Sequence, residues 1–368
     1  MPPTAAAAPP RRPRLKPTVE HFVAPDGDVY LLRPNGADLA VRSPAPVQRA
    51  LLERLDGRSA EELAAGLAAD GLAVEPAALD ATLAQLEAAG VLDDAAADER
   101  LEPGLRQRFD RQLRYFADVS PARGAAAEAQ RRLAAASVLV LGVGGLGCWT
   151  AYALASAGVG RLVLVDGDRV ELSNLNRQIL FGERDLGRCK AAAAAERLRS
   201  FSGSTEVEGV VRRVGSAEEV AALVAGHDLV VDLADTPVGE LQRWVDAACF
   251  GAGVPYVAAS QLPPRVRVGP LYVPGVTGCF ACQEAGWRER HALYDALDRW
   301  RRHRPSEAAT FGPACGLVGS LVANDAVNHL TGLAEPASLG RGLLVDFNTL
   351  EREVEEVPRR AGCARCGA

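Results

Sequence analysis

Three sets of residues in this 368-residue chain have the types and the spacing to do chemistry. The first is a glycine run, Gly142-Val143-Gly144-Gly145-Leu146-Gly147, with an acid, Asp166, a short distance on. Glycines at that spacing let a backbone turn tightly and approach a phosphate. The second set follows at once: Asp168, Asn174, Asn176, Arg177, Gln178 and Lys190. A glycine turn with one acid suits NAD or FAD, but two cations close to it suit a triphosphate better than a dinucleotide diphosphate. The third set is Asp232 and Asp235 in HDLVVDLADTP, carboxylates placed to hold Mg²⁺ against phosphate oxygens. Asp168, Asn176, Gln178 and Asp232 are open to either a ligand contact or a structural role.

The cysteines form a separate group. Cys279-x-x-Cys282 and Cys363-x-x-Cys366 each have the internal spacing of a zinc knuckle. Four thiolates close a tetrahedral shell and leave no position for water, so the expected Zn²⁺ is structural. Reactive dithiols or disulfides are the alternative. Of the other four cysteines, Cys315 in FGPACGLVGS precedes an apolar helix. It is either a thiol that captures an activated acyl group or a small buried residue in a glycine-rich turn.

These residues need a frame, and the surrounding pattern supplies it. The apolar run SVLVL (137–141) enters the glycine turn, a helical segment follows, and a second run, RLVLV (161–165), ends at Asp166. Strand, glycine turn, helix, strand and acid make a βαβ nucleotide unit, whose helix N-terminus offers N–H groups to an anion. HDLVVD adds a third strand whose acidic end falls at the ligand edge of a parallel sheet. The predicted fold is α/β, a Rossmann-like doubly wound sheet.

With RFDRQLRYF (108–116), GVGGLG (142–147), DGDRVELSNLNRQILF (166–181), the GRCK ending at Lys190, DLVVDLAD (228–235) and the two cysteine pairs, the chain resembles the ubiquitin-activating-enzyme-like adenylating enzymes over roughly residues 105–368. Bacterial members of that family activate sulfur carriers or peptides of the microcin C type. The resemblance implies ATP in the turn of Gly142, Gly144, Gly145 and Gly147, ribose on Asp166, and triphosphate on Asn174, Arg177 and Lys190. It implies Mg²⁺ on Asp235, the residue most tied to catalysis. It also implies that Arg111 reaches the γ-phosphate bound by a neighbouring subunit, hence a homodimer. One departure is Thr236, where the family usually has Asn.

Residues 283–309, between Cys282 and Thr310, are charged and contain Trp287, Tyr294 and Trp300 without a single clear periodicity. They read either as a mobile exposed insert or as the segment that passes over the active site to meet the acyl substrate.

The first hundred residues are organised differently. Residues 1–19 are Pro/Ala-rich and basic, and read as a disordered tail. Residues 20–97 show two short strands (29–34 and 38–43) joined by the turn NGA, then three helical patterns. Ser59 with Glu61 and Glu62 opens the second helix, and Gly71 and Gly90 mark helix ends. This is a small winged-helix unit, with an adenylation domain over 98–368. It resembles the peptide-recognition domains of ribosomal-peptide maturation enzymes, similar to the pyrroloquinoline-quinone peptide chaperone. That implies a leader peptide added as a strand along 38–43 against the helix of 77–89.

The expected function is therefore ATP-dependent adenylation of a carboxylate on a ribosomal precursor peptide recognised through its leader. Activation of a Gly-Gly-tailed sulfur carrier, or a non-catalytic peptide-presenting scaffold, are the alternatives. A net charge of -6 and acid-rich N-terminal helices argue against nucleic acid. The absence of an apolar run of about 18 residues or of a signal peptide points to a cytoplasmic protein away from membranes.

Overall fold

The computed structural model describes residues 12–33, 36–120, 122–303 and 309–367. The chain divides into two compact units, Met1–Arg131 and Arg132–Ala368. This division lies further along than the boundary at 97/98 read from the sequence.

In the first unit, strands β1 (Pro13–Leu15), β2 (Glu20–Val23), β3 (Val29–Leu32), β4 (Leu39–Val41) and β5 (Leu92–Asp94) accompany three helices, Pro46–Arg54, Ala60–Ala69 and Pro76–Ala88. Strands β2, β3 and β4 form one antiparallel sheet. Part of the NGA turn lies outside the described residues, as does most of the expected tail. Pro13–Leu15 is a correction to that tail: it pairs with β5, and Arg14 donates to Asp93 and Asp98 at 2.7 and 2.6 Å. Ser59 and Glu62 cap the second helix reciprocally, Ser59 Oγ accepting from the Glu62 N–H and Glu62 from the Ser59 N–H. Gly71 and Gly90 end their helices at φ +75° and +72°, a region open to glycine. Leu31, Leu51, Leu63, Leu67, Leu79 and Leu83 make the core, each contributing about 1.5–3 kcal/mol by burial.

The second unit holds an eight-stranded sheet made of β6 (Ser137–Leu141), β7 (Arg161–Val165), β8 (Glu206–Val210), β9 (Leu229–Asp232), β10 (Tyr256–Leu262), β11 (Arg265–Tyr272), β12 (Arg341–Asp346) and β13 (Arg352–Glu356). The order is β13-β12-β11-β10-β9-β6-β7-β8. Strands β8, β7, β6, β9 and β10 run parallel, and β11 to β13 continue antiparallel. The chain leaves β6 toward β7 and β8, then returns to the other side of β6 as β9. The crevice outside the strand ends at that reversal is where open α/β sheets bind ligands.

Candidate active site

Gly142 closes β6 at φ +87°, and a Cβ there would meet the backbone of Ala234, after β9, at 2.8–2.9 Å. The two strand ends are therefore brought together by the absence of a side chain. Gly144 is the N-cap of the helix Gly145–Ala157, and a Cβ on it would stand in open space facing the crevice. Gly147 does not line the crevice; a side chain there would overlap the Gly142 carbonyl, so it sets the close packing of helix on turn. The helix thus directs unpaired N–H groups and its positive end into a cavity of about 1020 Å³.

Asp166 shapes this turn. Its carboxylate accepts from the Val143 N–H and the Asp168 N–H, both at 2.8 Å. Asn174 is buried, with Oδ1 accepting from the Glu171 N–H at 3.0 Å. Arg177 donates to Ser173 O and Asn176 Oδ1 at 2.7 and 3.0 Å, so Asn176 orients the arginine from outside the cavity lining. Gln178 lines the cavity, 3% exposed, and its Oε1 has no hydrogen-bond partner. Lys190 is 7% exposed and lies 3.3 Å from Asp168, which also pairs with Arg213 at 2.5 Å. Asp235 sits at the rim, exposed, with no ion pair or hydrogen bond among the described residues.

Two expected site residues are not among the residues that line the cavity. Asp232, open in the sequence to a ligand contact or a structural role, is buried and absent from the cavity lining. It accepts from the Ala234 N–H, its Oδ1 is unpartnered, and burial pushes its carboxyl up to about 7. Arg111 belongs to the first unit; its side chain is 87% exposed and faces Asp110 at 3.7 Å. Arg212 and Arg213 line the cavity and went unread. The available signal was a pair of cations one residue after the strand pattern EVEGV.

Cys315 also lines the cavity, in the first turn of the helix Gly312–Thr331. It is buried and accepts from Gln261 Nε2 at 2.8 Å. Burial raises its thiol, an effect that Gln261 and Arg177 only partly oppose. Residues 283–303 contain the end of the helix Phe280–Arg290 and all of Tyr294–Arg302. Arg243 clamps both, at 2.5 Å from Glu284 and 2.8 Å from Asp298, and Arg301 reaches the cavity.

The four paired cysteines converge. Their sulfurs lie within 4.8 Å of one another, with Cys279–Cys282, Cys279–Cys363 and Cys282–Cys366 at 3.7, 3.6 and 3.5 Å. A tetrahedral zinc with Zn–S of about 2.3 Å needs S···S edges of about 3.8 Å, so the set fits Zn²⁺.

The ThiF family pattern matches residues 109–366. The chain is 34% identical over 245 residues to a molybdopterin-synthase adenylyltransferase of Escherichia coli K12, spanning 67% of this chain and 92% of that one. It is 33% identical over 242 residues to the ThiS sulfur-carrier adenylyltransferase of the same strain, spanning 66% and 90%. Among solved structures, E. coli MccB with ATP aligns over 96% of this chain and 99% of its own, at TM-score 0.72 and 24% identity. MccB with MccA-N7isoAsn aligns over 97% and 99%, at 0.73 and 23%. Likeness at this identity speaks for the fold. No helix among the described residues is long and apolar enough to cross a membrane.

Proposed function

The chain belongs to the ThiF family of adenylyltransferases, and from that premise we propose that it activates a carboxylate of a ribosomal precursor peptide as its acyl-adenylate. The observation that carries the chemistry is one cavity holding a glycine turn at a helix N-terminus, Lys190, Arg177 and an Asp235 without an ion-pair partner among the described residues. ATP is the substrate such a set fits. The turn would take phosphate, Asp166 the ribose, and Lys190, Arg177 and Asn174 the triphosphate charge. Asp235, an unneutralised carboxylate at the rim, fits Mg²⁺, whose chemistry is to neutralise phosphate oxygens. Arg111, exposed on its helix beside Asp110, is the residue a second subunit would lend in a homodimer.

The reaction needs no protein nucleophile. An oxygen of the substrate carboxylate attacks the α-phosphorus, the bond from that phosphorus to the bridging oxygen breaks, and pyrophosphate departs with the electron pair. The protein holds the carboxylate in line and keeps cations where the leaving charge grows. Gln178 Oε1, buried and unpaired, is an acceptor that a bound ligand would satisfy.

One observation favours a peptide over a sulfur carrier. The sulfur-carrier relatives align with about two thirds of the chain, whereas peptide-bound MccB aligns with nearly all of it. The first unit, where β4 is an edge strand of its sheet among the described residues, would take the leader there as an added strand, against the helix Pro76–Ala88. Pyrophosphate–ATP exchange on the full chain tests both parts. Exchange with a leader-bearing precursor that is lost with the leaderless peptide is the expected result. Exchange only with a Gly-Gly-tailed carrier overturns the peptide reading, and exchange with neither leaves a presenting scaffold.

A further inference from the structure

The helix Leu241–Ala252 starts at the cleft. Leu241 and Gln242 line the cavity, and Gln242 Nε2 donates to Ala234 O at 3.3 Å. One turn further in is Asp246, 2% exposed. Its Oδ1 accepts from the Tyr256 hydroxyl at 3.0 Å and from the Phe280 N–H at 2.9 Å, and its Oδ2 lies 3.3 Å from Arg365 Nε. Phe280 sits inside the first cysteine pair and Arg365 inside the second. A single buried carboxylate therefore grips both knuckles from the wall of the nucleotide cleft.

The charge of the cysteine cluster does not explain this carboxylate. Four thiolates around Zn²⁺ carry a net charge of about -2, which repels a further anion. Burying an unpaired carboxylate is strongly unfavourable, so its three partners are what keep it there. Two of those partners are the segments whose cysteines must meet from opposite ends of an 84-residue separation.

We infer that Asp246 is a positioning residue that assembles the four-thiolate site, joining the C-terminal knuckle to the helix that walls the cleft. Partners that orient metal ligands typically set metal affinity by about 10–100-fold. The inference goes beyond the proposed reaction but rests on the tetrad holding zinc.

The test is zinc content and the rate of zinc release from full-length holoprotein to 4-(2-pyridylazo)resorcinol. Asp246→Asn keeps acceptance at Oδ1 but opposes Arg365 with an amide, so release should be about 10-fold faster. Arg365→Ala should be faster in the same direction, without loss of far-UV circular dichroism. If Asp246→Asn does not fold, Arg365→Ala, partly exposed, carries the test alone. Release at the wild-type rate in the folded variants overturns the role of Asp246. A wild-type chain purified without zinc overturns the tetrad and this inference with it, while leaving the exchange assay to judge the adenylation reading.

Discussion

Asp168 holds Lys190 at 3.3 Å and Arg213 at 2.5 Å, so one exposed carboxylate gathers two cations at the edge of the cleft. Lys190 is nearly buried, and its backbone N–H also donates to Asp168 O at 2.9 Å, which fixes the helix start that carries it. Lys190→Ala should therefore reduce pyrophosphate exchange by about 100-fold or more, the scale of losing one preorganised charge donor. Asp168→Asn should act more weakly, raising KM for ATP by a few fold with kcat little changed, because it loosens the lysine without removing it. An equal fall in kcat for Asp168→Asn would place the carboxylate in the reaction itself.

The two glycines of the turn should separate stability from binding. Gly142→Ala forces a side chain into φ +87° and against Ala234, and should lower stability by about 1–3 kcal/mol, read by thermal melting. Gly144→Ala has an ordinary φ and open space around its Cβ, so the melting temperature should stay put. The methyl would instead stand where a phosphate approaches, and KM for ATP should rise. A Gly144→Ala variant with wild-type KM would remove the turn from phosphate binding.

This division shows why some of the site was readable and some was not. The turn, its helix and the cysteine pairs are local patterns, so spacing alone announces them. The sequence leaves Asp232 between two roles because β9 is buried on both faces, and such a strand has no alternation to say which way a carboxylate points. The grip of Arg213 on Asp168 joins residues 45 apart across a loop packed against Gly167, which has no local signature. β1 hid in a Pro-rich basic stretch because its partner strand lies some 79 residues away. Asp246, six residues before the end of the helix Leu241–Ala252, reads as an ordinary helix acid until Phe280 and Arg365 arrive at it.

Asp232 should leave a mark on the pH dependence of stability. Its carboxyl is raised from 3.8 to about 7 by burial. Between those values the folded chain holds a proton that the unfolded chain has released. Stability from this group is thus full below about pH 4, falls as pH rises toward 7, and levels off above it; the loss is at most about 4 kcal/mol. Asp232→Asn should flatten that slope and raise the melting temperature at pH 8, with exchange activity retained because the residue is outside the cavity lining. A variant whose melting profile keeps the wild-type slope between pH 4 and 7 would assign the slope to other groups.

Cys315 is the remaining candidate for covalent chemistry, and the geometry gives it a spectator's place. Its sulfur packs where a Cβ on Gly145 would fall, at 2.6 Å, so it fills the wall of the turn. Burial keeps the thiol protonated beyond its ordinary range, and the thiolate is the reactive form. Carboxylate attack on the α-phosphorus asks nothing of it. Cys315→Ala should accordingly keep pyrophosphate exchange within about 3-fold of wild type, the modest effect of removing one small uncharged group from the wall. Alkylation of the wild-type protein by iodoacetamide at pH 7 should be slow at this position by peptide mass mapping, and slower still with ATP bound. Normal exchange in Cys315→Ala with loss of final product would instead assign the thiol to the step after adenylation, where it would displace AMP to form a thioester.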